Sequence, residues 1–106
     1  MELPSEWCPN PAQTSYLRVR GSSMSPAISD GDVVAVDYSQ TDPGTLSGTV
    51  VVAWHREHGL SLSRFLVVDG VQLLESENRD YQPIVLGNDR NWRIIGGVLW
   101  WIRKAP

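Results

Sequence analysis

The sequence lacks the features that mark secreted, membrane-spanning or strongly basic chains. It contains one cysteine, Cys8, so no disulfide can form within the chain, which fits a reducing cytoplasm. No apolar run approaches the roughly 20 residues of a membrane span. The residues after Met1 also lack the basic and apolar regions of a signal peptide. The net charge is −3, so any DNA binding would need another domain. We therefore expect a cytoplasmic protein without membrane contact.

Helical periodicity is also scarce. Short β-branched and aromatic runs alternate with turn residues, and Asp69-Gly70 is a strong hairpin signal. The predicted strands cover residues 16–20, 33–38, 49–55, 60–68, 71–75, 81–86 and 92–102. Residues 41–48, with proline and glycine, are expected to form a loop. The pattern predicts one all-β domain at residues 15–106, preceded by a linker or N-terminal arm at residues 1–14.

One break in the strand pattern contains a serine that could act as a nucleophile or contact a peptide. Gly21-x-Ser23-Met24-x-Pro26 interrupts an alternating strand, and a second strand begins a few residues later. A serine held in a turn between two strands can present a nucleophile or a tight peptide contact. Its hydroxyl can equally cap the turn. Met24 is a candidate binding residue beside it, although packing explains a methionine there as well.

This serine motif and three later segments resemble the LexA-type serine peptidase family. That family includes the C-terminal domains of LexA, phage CI-like repressors and UmuD, with signal peptidases as more distant relatives. The later segments are Gly-Thr-Val-Val-Val-Ala at 48–53, Leu-Leu-x-Ser-x-Asn-x-x-Tyr-x-Pro-Ile at 73–84, and Ile-Ile-Gly-Gly-Val at 94–98. Together with the serine motif they cover residues 16–103. The resemblance implies an all-β, LexA/signal-peptidase-like fold of short, mostly antiparallel strands.

The residue that completes the family's chemistry is missing. Family members cleave with a serine and a neutral lysine base, because a serine hydroxyl attacks only when a base removes its proton. The triplet matching the lysine segment is Leu62-Ser63-Arg64, so Ser63 stands at the lysine position. Arg64 stays protonated in proteins and cannot act as the base. The single lysine of the chain is Lys104. The resemblance thus makes Ser23 a candidate or vestigial nucleophile.

One histidine offers a second route to a base. Signal-peptidase relatives can use histidine, so His55, at the end of the strand predicted to pair with residues 60–68, is an alternative base for Ser23. A solvent-facing position at a strand end explains His55 as well, and the same holds for His58 in the following turn.

No metal or cofactor is expected. Asp30 and Asp32 flank a glycine, which fits turn chemistry better than a cation site. Cys8, His55 and His58 do not have the spacing of zinc ligands.

The last predicted strand holds an adjacent tryptophan pair, Trp100 and Trp101. Neighbouring strand residues point to opposite faces, so both rings cannot enter one core. The final strand of LexA-like domains pairs two subunits, so the resemblance implies a homodimer contact here. The alternative is an aromatic lid formed with Trp7 of the arm.

The resemblance and the missing lysine together predict a dimerisation and regulatory domain of a phage-type or SOS-type transcriptional repressor, without self-cleavage. DNA would be bound through a helix-turn-helix domain outside this sequence. A cleft beside Ser23 would hold a linker peptide or an antirepressor peptide. The chain has no Ala-Gly or Cys-Gly pair of the kind that self-cleaving repressors cut. The alternatives are an active self-processing serine peptidase with a non-lysine base, a signal-peptidase-like enzyme, and a UmuD-like accessory protein that binds a polymerase.

Overall fold

A computed structural model describes residues 7–103, with Asn88 described by its backbone alone. The first part of the predicted arm, residues 1–6, and the tail with Lys104 lie outside the described residues. The strands are β1 Thr14–Arg18, β2 Val33–Asp37, β3 Val50–His55, β4 Gly59–Val68, β5 Val71–Glu75, β6 Ile84–Val85 and β7 Trp92–Ile102. They form one sheet in the order β1-β2-β7-β3-β4-β5-β6, and each neighbouring pair is antiparallel. The predicted all-β fold is confirmed.

The hairpin between β4 and β5 forms where the sequence predicts it. Val68 pairs with Val71 across a two-residue turn, in which Asp69 and Gly70 have φ angles of 50° and 80°. This left-handed backbone suits the twist of a tight hairpin, and glycine and aspartate tolerate it.

Three predicted elements differ from the structure. The first strand, predicted at residues 16–20, runs from Thr14 to Arg18 and so lies two residues earlier. The expected loop at residues 41–48 contains a short helix, α1 Pro43–Leu46, whose N-cap Asp42 accepts a hydrogen bond from the Gly44 N–H. A capping aspartate followed by proline is a helix-start signal, so the prediction of a plain loop was wrong. The strand predicted at residues 81–86 is reduced to Ile84–Val85, because Pro83 has no N–H to donate to a ladder.

Two clusters of buried side chains cover opposite faces of the sheet. The inner cluster consists of Met24, Ile28, Val34, Val36, Val50, Val52 and Val98. The outer cluster consists of Leu46, Val51, Ala53, Phe65 and Leu74. Alternation along β3 explains the division, since successive residues of a strand face opposite sides. Burying a side chain such as Phe65, which is fully covered, stabilises the fold by about 1.5–3 kcal/mol.

The sheet curls so that its first and fifth strands face each other. Residues 17–20, which extend β1, and residues 60–62 of β4 line one common cleft, although three strands lie between them in the sheet order. Elsewhere in the sheet, β7 approaches its paired neighbour β2 very closely at one point. A Cβ atom at Gly96 would lie 2.6 Å from the backbone oxygen of Asp37, so only glycine fits there. Within residues 7–103, no helix is long and apolar enough to cross a membrane.

Candidate functional site

The serine turn, residues 21–28, is anchored by side chains buried in the core. Met24 and Ile28 are both buried in the inner cluster, and the Ile28 N–H donates to the Met24 carbonyl at 2.8 Å. Gly21 has a φ of 94° and donates its N–H to a carboxylate oxygen of Asp30 at 2.9 Å. Ser23 therefore lies half-buried on a rigid support. Met24, a candidate binding residue from sequence, is 1% exposed and acts here by packing.

The hydroxyl of Ser23 donates to the backbone carbonyl of Leu62 at 3.3 Å. This carbonyl belongs to a strand edge. Phe65 exchanges backbone hydrogen bonds with residues 48 and 49, so the backbone groups of Ser63 also face β3 and those of Leu62 face the other side. On that side β5 pairs only with residues 64–68 of β4. The serine turn therefore caps β4 where its partner strand has ended.

A second clamp on the turn comes from Asn78. Its backbone N–H donates to the Ser23 carbonyl at 3.0 Å, and its side-chain amide donates to the Ser22 carbonyl at 2.9 Å. The Ser22 and Tyr81 hydroxyls lie 3.4 Å apart. Sequence reasoning used Asn78 and Tyr81 only as markers of a family segment and missed this role. Their fixed spacing was the signal, but it did not identify the backbone groups they hold.

Ser63, which the sequence resemblance matches to the family's lysine, is 5% exposed. It lies opposite Val51 in the β3–β4 register, on the same face of β4 as Phe65. The next residue, Arg64, donates to Glu77 at 3.0 Å and to the Gly48 carbonyl at 2.7 Å. The hydroxyl at position 63 has no basic nitrogen to offer to Ser23.

His55 is buried rather than solvent-facing, so that sequence alternative is wrong. It is 3% exposed and lies edge-on to Trp92 and stacked on His58, with ring centroids 4.6 and 4.4 Å away. Its Nδ1 accepts the backbone N–H groups of Glu57 and His58 at 3.0 and 3.3 Å. The proton therefore lies on Nε2, which donates to Asp89 Oδ2 at 2.7 Å.

These contacts place His55 away from the serine turn. Leu62 lies opposite Val52, and His55 is three residues further along β3, which is about 10 Å along an extended strand. The Asn91 N–H and the His55 ring together hold the pKa of Asp89 below its ordinary value. The pair ties the β3–β4 turn to the loop before β7.

The cleft lies in front of Ser23 and has a volume of about 290 Å³, close to the lower end of the range for ligand pockets. Its lining residues are Leu17, Arg18, Val19, Arg20, Ser23, Val34, Val52, Leu60, Ser61 and Leu62. The floor is apolar, and the rim on the β1 side carries the two arginines. The structure thus brings Ser23 to the mouth of a strand-lined groove.

The two aspartates before β2 bind the serine turn and the residue that follows it. The Asp32 carboxylate is buried and accepts the Ser29 N–H at 2.8 Å, while Asp30 accepts from Gly21. In the described part of the chain, no three His, Cys, Asp or Glu side chains are grouped so that they could hold a metal ion.

The tryptophan pair lies on opposite faces of β7, with different surroundings. The Trp100 ring contacts Trp7 and Tyr16 at centroid distances of 5.8 and 5.7 Å, and its Nε1–H donates to the Trp7 carbonyl at 2.9 Å. The arm therefore covers Trp100, as the aromatic-lid alternative predicted. Trp101 and Ile102 remain 40% and 51% exposed.

Asp37 fastens the arm to the sheet. Its buried carboxylate accepts hydrogen bonds from the Ser39 N–H and hydroxyl at 2.9 and 2.6 Å, from the Asn10 amide at 3.0 Å and from the Gln40 amide at 3.4 Å. Burial raises the pKa of Asp37, but the hydrogen bonds from Ser39, Asn10 and Gln40 outweigh it and hold the pKa below the ordinary value.

A serine at the mouth of a cleft between strand edges, in a curled antiparallel sheet, defines a peptidase-like domain. Comparison with known proteins gives the family. The family model described as Peptidase S24-like matches residues 1–99. The chain belongs to this family, and its domain is LexA-like, so the resemblance inferred from the sequence motifs is confirmed.

Similar relatives include proteins named LexA repressor, each with more than a third of the aligned residues identical. The chain is 39% identical over 75 residues to that of Pelagibacter ubique, covering 70% of this chain and 32% of the relative. The LexA repressor of Shewanella sediminis is 38% identical over 77 residues, which cover 72% of this chain and 35% of the relative. The LexA repressor of Ligilactobacillus salivarius is 36% identical over 84 residues, which cover 78% of this chain and 38% of the relative. The chain thus spans roughly a third of the length of these curated relatives.

The Asp37 contacts predict how stability depends on pH. A carboxyl whose pKa is lowered on folding stabilises fully above its unfolded pKa, here 3.8, and the stabilisation is lost as pH falls through the folded pKa. Asp37→Asn should lower the free energy of unfolding at pH 7 by about 1–3 kcal/mol, because hydrogen bonds to a charge are lost. It should also flatten the decline in stability below pH 4. Urea unfolding at pH 7, 4 and 3 measures both effects.

The matched control is Asp69→Asn, at the exposed hairpin turn, where asparagine tolerates the same backbone. It should keep the wild-type decline in acid. An Asp37→Asn variant whose stability falls with pH in parallel with the wild type would contradict the role given to Asp37.

Proposed function

We propose that this LexA-like domain is the dimerisation and regulatory domain of a transcriptional repressor of the phage or SOS type, and that it does not cleave itself. The relatives that carry the name LexA repressor support the repressor part of the proposal. The helix-turn-helix reading head would lie outside the 106 residues, and the repressor would work in the cytoplasm.

The absence of self-cleavage rests on the hydrogen bond of Ser23. Its hydroxyl donates to the Leu62 carbonyl, which is an acceptor and not a base. A serine attacks a peptide bond only when a group with a vacant lone pair takes its proton. Among the residues that the structure describes, no imidazole or amine hydrogen-bonds this hydroxyl. His55, the alternative base, uses both ring nitrogens for other contacts.

Dimerisation rests on the end of β7. Towards β2, β7 is paired as far as Ile102, but towards β3 the pairing stops at Gly97. The edge of residues 98–102 on that side meets no strand of the sheet described here, and Trp101 and Ile102 are exposed beside it. An exposed strand edge with large apolar side chains is a template for pairing with another strand. A second copy, placed across a two-fold axis, would cover it with the same residues.

A dimer would supply the regulatory mechanism. Joining two DNA-reading heads makes the second half-site contact intramolecular, so its effective concentration rises and operator affinity exceeds that of one head. The retained serine cleft would then serve as a binding groove and not as a reaction site.

A reaction with fluorophosphonate tests whether Ser23 is activated. We expect the wild-type chain to show no Ser23-dependent label by intact-mass spectrometry after incubation at pH 7 to 10. Ser63→Lys should introduce labelling that Ser23→Ala removes, because lysine in an apolar site loses its proton more easily and becomes a base. The matched control is Gln72→Lys, on β5 and outside the residues that line the cleft, which should leave Ser23 unlabelled.

Wild-type labelling that disappears in both Ser23→Ala and His55→Ala would contradict the proposal and indicate an active peptidase. Far-ultraviolet circular dichroism establishes that each variant keeps its sheet. An unlabelled but folded Ser63→Lys variant would show that the missing lysine is not what leaves the serine inert.

Sedimentation velocity tests the dimer. Trp101→Arg should shift the wild-type dimer towards monomer and raise the dissociation constant at least about tenfold, since one exposed aromatic anchor at an interface is worth more than 1.4 kcal/mol. Val71→Arg, at a residue that is 45% exposed in the β4–β5 hairpin, is the control and should leave the dimer intact. A monomeric wild type, or equal effects of both variants, would contradict the assignment of β7.

A further inference from the structure

We propose that the cleft binds an extended peptide of a separate protein and selects acidic side chains through Arg18 and Arg20. The inference rests on the proposed function, in which the cleft binds without cutting. It adds the chemical class of the ligand: a β-strand in which acidic residues alternate with apolar ones.

Both walls of the cleft present strand edges to such a peptide. Val19 exchanges backbone hydrogen bonds with Gly31 and Asp32, so by alternation Arg18 directs its backbone N–H and C=O away from β2. On the opposite wall, Leu60 and Leu62 direct theirs away from β3. The Leu62 carbonyl already accepts a hydrogen bond from the Ser23 hydroxyl, but no strand of the described sheet lies beside Leu60. A peptide strand inserted here would find donors and acceptors on both sides.

The floor and the rim of the cleft demand different side chains. Leu17, Val19 and Val52 face the inner cluster, so the inward residues of the peptide meet an apolar floor. Arg18 and Arg20 lie on the outward face of the same segment and are exposed. Outward residues of an inserted strand would become their cross-strand neighbours, where opposite charges attract. The peptide pattern is therefore acidic at alternate positions and apolar between them.

The charge of the cleft differs from that of the chain. The net charge is −3, yet the residues that line the cleft include two arginines and no carboxylate. The Arg18 guanidinium donates one hydrogen bond, to the Gly31 carbonyl at 3.3 Å, and a guanidinium carries five N–H donors in a fork that matches a carboxylate. Charge complementarity therefore points to an acidic ligand and away from a basic one.

The described part of the N-terminal arm packs on another part of the domain. Trp7 packs on Trp100 and Asn10 bonds Asp37, which places this segment against β2 and β7 and not in the cleft. The described arm is therefore not the occupant, and we assign the cleft to a separate polypeptide on the charge complementarity given above.

Fluorescence anisotropy with the full chain tests this inference. The probes are three fluorescein-labelled, C-terminally amidated peptides, Gly-Glu-Val-Glu-Val-Gly and the same sequence with glutamine or lysine in place of both glutamates. The acidic peptide should bind about tenfold more tightly than the glutamine peptide, because two partly screened ion pairs together supply about 1.4 kcal/mol. The lysine peptide should bind most weakly.

Variants separate selectivity from affinity for the backbone. The double variant R18Q/R20Q should bind the acidic and the glutamine peptides equally, while R90Q/R93Q, which removes two arginines outside the cleft, should keep the tenfold preference. Methylating the backbone nitrogens of the two valines should weaken binding of every peptide, since strand pairing is lost. Thermal unfolding verifies that the surface variants remain folded.

Equal affinity of wild-type protein for the acidic and the glutamine peptides would overturn the inference, as would a complete lack of binding. Neither result would touch the proposed function, which the labelling and sedimentation measurements test. Ser23-dependent cutting of a bound peptide would instead overturn the non-cleaving function and leave the acidic preference standing.

Discussion

The hydrogen bond from the Ser23 hydroxyl to the Leu62 carbonyl is the contact on which the account of this domain depends. A hydroxyl can donate one hydrogen bond, and here the backbone oxygen of Leu62 accepts it. That arrangement completes a strand edge, because Leu62 presents its carbonyl where β5 no longer pairs with β4. It does nothing to raise the nucleophilicity of the oxygen, which would need a base. The Ser23 oxygen therefore caps a strand edge in this structure.

The support of the serine turn is nevertheless well built. Met24 and Ile28 anchor it in the inner cluster, and Asn78 holds the carbonyls of Ser22 and Ser23. These contacts fix the backbone of the turn whether or not a reaction takes place. A cleft between two strand edges needs the same rigidity to bind a peptide, because preorganised walls reduce the entropy lost on binding. The rigid support of the turn is thus consistent with the binding role proposed for the cleft.

The strands could be predicted from sequence because alternation and turn residues are local signals. The β4–β5 hairpin follows from Asp69-Gly70, and the bounds of β3, β4 and β7 differ from their predictions by at most one residue. Helix α1 could also have been predicted, since Asp42 and Pro43 form a start signal. Contacts between residues far apart in the chain could not be predicted from the sequence. The burial of His55 depends on Asp89 and Trp92, which approach it only after β7 pairs with β3.

The environment of Ser23 itself can be measured by replacing its oxygen with sulfur. In a Cys8→Ser, Ser23→Cys variant, the pH dependence of alkylation by iodoacetamide reports the pKa of the one remaining thiol. A basic group beside position 23 would stabilise the thiolate as an ion pair, whereas a carbonyl oxygen and an apolar floor would not. The account predicts a thiol pKa at or above the ordinary value of about 8.5. A pKa below about 7, as a paired imidazolium or ammonium produces, would contradict it.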